Sequence, residues 1–306
     1  MTPLRDPHDT TILLTGATGY VGGQLLPRLL DAGHPVRCLV RDPAKAELPA
    51  AAEVVRGDVV KDEGLREALE GVDVAYYMVH SMSGADAGDF VRRDRDAAAN
   101  FGRAAAAAGV GRVIYLGGLE SGSHESEHLR SRAEVAEVLE ELVPDFVHVR
   151  AAMVIGDGSA SFIMLRNLVE KLPAMLTPKW VDTRSQPVSV RDVVGVLADL
   201  ATFPDPPTEV QVGGADVLTY RDMMVHYAHV RGRRPPAIIK VPVLSPGLSS
   251  HWVSLFTPIE TGLVRPLVEG LGAETVVRRP PPAGLNDAPL GFDDACRLAI
   301  GRSLSA

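Results

Sequence analysis

Three glycines at three-residue steps, Gly16, Gly19 and Gly22, stand inside the stretch TILLTGATGYVGG at residues 11–23. Glycine there permits, in turn, a tight turn, a close backbone approach to a ligand, and close packing of a helix on a strand. The free N–H groups at a helix start, with its positive dipole end, favour a pyrophosphate. Thr18, Tyr20 and Val21 lie in the same turn and share the expected contact. A second spacing is His124, Glu125 and His128, the pattern His-Glu-x-x-His, which on a helix can hold zinc with the carboxylate as base. Its flanks Ser121, Ser123 and Ser126 are polar, and no clear third ligand follows, so no metal site is expected. His80 closes an apolar run. It could bond a ribose or a substrate, donate a proton near neutral pH, or bond loop backbone.

Elements must position these groups. Ile12, Leu13 and Leu14 read as a buried parallel strand, and residues 19–32 as a helix closed by Gly33. Val36–Val40 is a second strand. It ends at Arg41, about 20 residues past the glycines, where dinucleotide-binding sheets read the adenosine ribose. The guanidinium of Arg41, with Lys45 one turn on, favours the 2′-phosphate of NADP over NAD. Arg37 adds to this if it faces the same side. Glu53–Arg56 is a third strand and residues 72–79 a fourth, running into His80, Ser81 and Met82. A long helix over 86–108 precedes a fifth strand over 112–116, which ends at Gly117, Gly118 and Leu119. A sixth over 145–150 leads to Ala152 and Met153. Alternating strands and helices predict an α/β, Rossmann-type doubly wound parallel sheet. Residues 1–155 form its core. Residues 156–306 form a smaller C-terminal substrate lobe, with segments near 186–213 returning to the core. Ligands of such sheets lie beyond the carboxyl ends of the strands, so Ser81, Met82, Gly118 and Leu119 are expected beside a substrate and Gly117 beside the cofactor.

TGATGYVGG followed by VRCLVRDP resembles the atypical, extended-type short-chain dehydrogenases/reductases, in particular the NmrA-like and complex-I-subunit-like branch. The resemblance implies that Asp58 and Val59 read the adenine, while Asp58 also reads as a cap for the next segment. It implies that Ala152 and Met153 wall the nicotinamide end, and that Arg184 and Gln186 belong to a stretch closing over the substrate. Active members carry a Ser or Thr at the end of the fifth strand and a Tyr-x-x-x-Lys pair. Here Tyr20, Tyr76, Tyr77, Tyr115, Tyr220 and Tyr227 are followed four residues on by Gln24, His80, Ser81, Leu119, Met224 and Arg231. His128 and Arg132 stand at the missing spacing, so His80 and His128 are the candidate catalytic proton donors. Two functions remain open. One is an NADP-dependent oxidoreductase acting by hydride transfer on a small, rather apolar substrate. The other is a non-catalytic sensor of the dinucleotide's redox state that binds a protein partner.

Net charge is −8 over 306 residues with no basic block, which argues against nucleic-acid binding. Cys38 and Cys296 are far apart and read as reduced thiols of a cytoplasmic protein. The opening MTPLRDPHDT lacks a signal-peptide core, and no apolar run reaches transmembrane length. Residues 238–271 are apolar but broken by Pro242, Pro246, Pro258 and Pro266. They read as a substrate lid, a homodimer face or a peripheral membrane contact. Residues 280–282 read as a flexible linker.

Overall fold

The computed structural model describes residues 7–79, 87–119, 127–240 and 270–303. The readings on His80, Ser81, Met82, His124, Glu125 and residues 241–269 lie outside these. In chain order the first half runs β1 (Ile12–Thr15), α1 (Tyr20–Asp31), β2 (Val36–Val40), β3 (Glu53–Arg56), α2 (Leu65–Leu69), β4 (Val74–Tyr77), α3 (Ala87–Ala108), β5 (Arg112–Gly118), α4 (Glu127–Leu142) and β6 (Phe146–Ala151). The second half runs β7 (Val154–Ile155), α5 (Ala160–Lys171), β8 (Ala174–Thr177), β9 (Arg184–Ser185), β10 (Val188–Ser189), α6 (Val190–Asp199), β11 (Glu209–Val212), β12 (Leu218–Thr219), α7 (Tyr220–Val230), β13 (Ala237–Lys240) and α8 (Phe292–Ser303).

Seven strands form one parallel sheet in the order β11-β6-β5-β4-β1-β2-β3. This is the expected Rossmann-type architecture, with the strand order reversing between β1 and β4. Both faces are covered, so β1 is apolar from Ile12 to Leu14. Its side chains still alternate. Ile12 and Leu14 pack with α1 and α6, whereas Leu13 packs with α2, α3 and α4. A third apolar cluster gathers Phe162, Leu165, Trp180, Met223, Tyr227 and Phe292 from the later elements.

Polar side chains pin this frame. Thr15 Oγ1 donates to the Tyr76 carbonyl (2.9 Å) and accepts from the Met78 N–H (2.9 Å), clasping β1 to β4 where the order reverses. Arg112, at the start of β5, pairs with Asp145 (3.1 Å) and donates to the carbonyls of Leu200 (2.9 Å) and Phe203 (2.8 Å) beyond α6. Arg37 is held by Glu53 and donates to the carbonyls of Ala68 and Glu70 that end α2. The run before residues 280–282 is not a free linker. Gln211 accepts from the N–H groups of Arg278 (2.8 Å) and Arg279 (3.2 Å), tying it to the sheet edge. No helix among the described residues is long and apolar enough to cross a membrane.

The Arg112 side chain is only 13% exposed, so truncation would remove a shielded charged donor from the Leu200 and Phe203 carbonyls. Arg112→Ala is expected to lower unfolding stability by about 2–3 kcal/mol, the scale of hydrogen bonds to a charged donor. Urea denaturation measures it. A change within error would show that these bonds do not hold α6 to the sheet.

Candidate dinucleotide site

The glycine turn is built by steric exclusion. Gly16 has φ +69°, and a Cβ there would lie 2.5 Å from the Met78 carbonyl oxygen. At Gly22 a Cβ would overlap the Gly16 carbonyl. Gly19 donates to the Gly16 carbonyl (2.9 Å) and stands at the N-cap of α1, where no side chain caps the helix. The first N–H groups of α1 are therefore open to an anion at the carboxyl end of β1. Thr18 and Gly19 are exposed, while Tyr20 and Val21 are half-buried. The Tyr20 ring lies against Gly156 and Gly158, linking the turn to the start of the later lobe. These residues fit a pyrophosphate cradle.

At the end of β2, Arg41 is exposed and makes no hydrogen bond or ion pair among the described residues. Lys45 pairs with Asp42 (3.2 Å), and Asp42 accepts from the Ala44 N–H to cap a short turn. Arg37, on β2, is instead engaged within the protein, by Glu53 and by the carbonyls that end α2. Asp58 accepts from Val60 (2.9 Å) and Lys61 (3.4 Å), so it caps its own turn rather than a helix, and Gly64 precedes α2 instead. Val59 is buried, and Asn100 on α3 donates to its carbonyl (2.9 Å). Thr15 and Asn100 are placed at this end of the sheet by the fold. Their hydroxyl and amide carry no motif, only position.

At the carboxyl ends of β5 and β6, Leu119 is buried and donates its N–H to the Ala151 carbonyl (2.8 Å). Arg150 donates to the Gly118 carbonyl (3.3 Å) and pairs with Glu209 (2.9 Å), so it anchors the strand ends. Ala152 bonds the Val212 carbonyl, and the Met153 carbonyl accepts from Val188, so both bridge β6 to the returning segment. Gly117 faces the imidazole of His148, which fills the space a side chain at 117 would need. Burial, reinforced by the charge of Arg150, lowers the His148 imidazole to about 4, and it is neutral at pH 7.

Two expected substrate contacts prove to be engaged within the protein. Gln186 donates to the Gly214 carbonyl (2.7 Å) and accepts from the Val277 N–H (3.0 Å), so its amide is a structural clasp. Arg184 is exposed and pairs with Glu274 (3.6 Å). His128 lies in the first turn of α4, and its side chain lies outside the described residues. The tyrosines offer little acid–base capacity. Tyr76 donates to the Leu197 carbonyl (2.7 Å) and Tyr115 to that of Arg132 (3.3 Å). Burial pushes the phenols of Tyr76, Tyr77, Tyr220 and Tyr227 upward. Cys38 and Cys296 are free and buried, and burial pushes the Cys38 thiol up to about 12.

A parallel sheet with a glycine turn at its reversal point defines a Rossmann-type dinucleotide-binding protein. A family model described as NAD(P)H-binding matches residues 16–166. A (4-alkanoyl-5-oxo-2,5-dihydrofuran-3-yl)methyl phosphate reductase of Streptomyces griseus is 31% identical over 228 residues, 72% of this chain and 74% of that one. A ceramide reductase of Caulobacter vibrioides is 28% identical over 264 residues, 82% of this chain and 81% of that one. The chain belongs to the NAD(P)-binding, atypical extended short-chain dehydrogenase/reductase family, with NmrA-like character. Other curated dehydrogenases and reductases match only locally, the chain spanning 25–30% of their length. Citrobacter sp. triphenylmethane reductase complexed with NADP(H) has the same fold, with a TM-score of 0.72, 18% identity, and coverage of 94% of this chain and 99% of that one.

An unfolded chain protonates His148 near 6.5, the folded one only near 4. The unfolded state therefore binds the extra proton first. The residue's contribution to stability is complete above about pH 6.5 and falls as pH drops toward 4. His148→Phe is expected to flatten that acid limb, read as urea midpoints at neutral and acid pH. An unaltered limb would refute the assignment.

Proposed function

We propose that the chain is an NADP-dependent oxidoreductase acting by hydride transfer on a small, rather apolar molecule. The observation that carries the NADP preference is Arg41. Its guanidinium stands unpaired among the described residues, at the strand end next to the glycine turn. Lys45 is a weaker second donor because Asp42 already neutralises it. Relatives named for ceramide and for an alkanoyl-furanone phosphate support reduction of an acyl-chain-bearing or otherwise apolar substrate. The neighbour complexed with NADP(H) supports the cofactor.

When bound, NADPH supplies a hydride from its nicotinamide ring, and the protein's own task is placement. In this reading the N-terminus of α1 and the Gly16 turn grip the pyrophosphate, Arg41 the 2′-phosphate, and Asp58 with Val59 the adenine. Gly117, Ala152 and Met153 wall the nicotinamide end. Ser81, Met82, Gly118, Leu119 and Arg184 border the substrate, and His80 or His128 donates the proton. Residues 156–306 serve as the substrate lobe. Two free buried thiols suit a cytoplasmic setting.

Calorimetric titration tests the core of this. NADP+ is expected to bind more tightly than NAD+. Arg41→Ala should weaken NADP+ by about tenfold and leave NAD+ unchanged, the effect of losing one charge-assisted contact. No saturation with either dinucleotide would overturn the reading. NADPH oxidation against a panel of carbonyl, enone, imine and quinone compounds then tests turnover, and silence across the panel would count against catalysis.

A further inference from the structure

The reading above leaves one polar group unused at the reacting end. His148 lies on β6 with its ring between Tyr115 (5.2 Å between centroids) and Phe146 (6.2 Å). Its Nε2 is buried and has no hydrogen-bond partner among the described residues. A buried imidazole nitrogen left unpaired costs about 1–3 kcal/mol. Phenylalanine would pack there without that penalty, so the nitrogen calls for an explanation. The ring points along the sheet toward the carboxyl end of β5, into the space where Gly117 has no side chain. A second such atom lies close enough for its charge to act on His148: Arg132 Nε, on α4, is also buried without a partner among the described residues, and the Arg132 carbonyl accepts from Tyr115.

We infer that His148 Nε2 hydrogen-bonds a sugar hydroxyl of the nicotinamide half of the bound dinucleotide, with Arg132 beside it. This rests on the dinucleotide reading above. The geometry argues for that half. The pyrophosphate cradle sits at β1, and Arg41 draws the adenosine half toward β2, so the other half runs over β4 and β5. A hydroxyl both donates and accepts, so it suits a neutral imidazole nitrogen of either tautomer, and a second donor such as Arg132 Nε can share the oxygen. His148 thus supplies from β6 a polar atom on the sheet face that α4 covers, beside a β5 end that carries glycine instead of a hydroxyl residue.

The experiment uses the full chain labelled with 15N-histidine, the His148 signals being assigned by their loss in His148→Phe. NADP+ is expected to shift the Nε2 resonance, whereas adenosine 2′,5′-bisphosphate, which lacks the nicotinamide half, is not. By calorimetry His148→Phe should bind NADP+ about 5–10-fold more weakly, the loss of one buried hydrogen bond. It should bind the bisphosphate as the wild type does, and His148→Gln, which keeps a polar atom, should recover most of the loss. Calorimetric saturation by NADP+ with an unmoved Nε2 resonance overturns the inference. So does an equal shift with the bisphosphate, or unchanged NADP+ affinity in a folded His148→Phe. Absence of any NADP+ heat is a different result, and it removes the dinucleotide reading and this inference together.

Discussion

Everything in this fold depends on how closely the backbone packs at the reversal point. The Gly16 turn presses against β4 at Met78, and Gly22 of α1 presses back against the Gly16 carbonyl. No side chain fits at either contact. Thr15 reinforces the approach by bonding both to Tyr76 and to Met78. With the backbone this close, the uncapped start of α1 points at the carboxyl ends of the strands. The anion cradle follows from packing, with no charged side chain required in the turn itself.

Arginine and glutamine have divided roles around that cradle. Arg37, Arg112, Arg150, Gln186 and Gln211 each bridge backbone groups that would otherwise end without partners. They join strand to helix or bring the later chain back onto the sheet edge. Arg41 differs because nothing among the described residues engages it. Charge alone does not tell these anchored guanidinium groups from Arg41; their partners do.

The carboxyl end of the sheet carries a distinct set of groups. Its strand ends offer glycine and leucine, its buried tyrosines are held by carbonyls or pushed away from ionisation, and a neutral histidine fills the gap at Gly117.

The succession of strands along the chain, the glycine turn and the strand end at Arg41 were legible in the sequence, because each rests on local rules. Buried parallel strands are apolar runs, tight turns need glycine, and helices repeat at 3.6 residues. The expected strands at Val36–Val40 and Glu53–Arg56 appear where the pattern put them. Short elements such as α2, and β8 with its distant partner β13, escaped because few residues carry their pattern. Side-chain roles were less legible. Arg37 and Arg41 look alike in the chain, and Gln186 resembles any polar loop residue. His148 reads as one alternating position of a strand. Only the tertiary structure decides which of them meets a carbonyl, a carboxylate, or nothing. Those partners lie tens of residues away in the chain, and hydrogen bonding is settled by distance and direction in space.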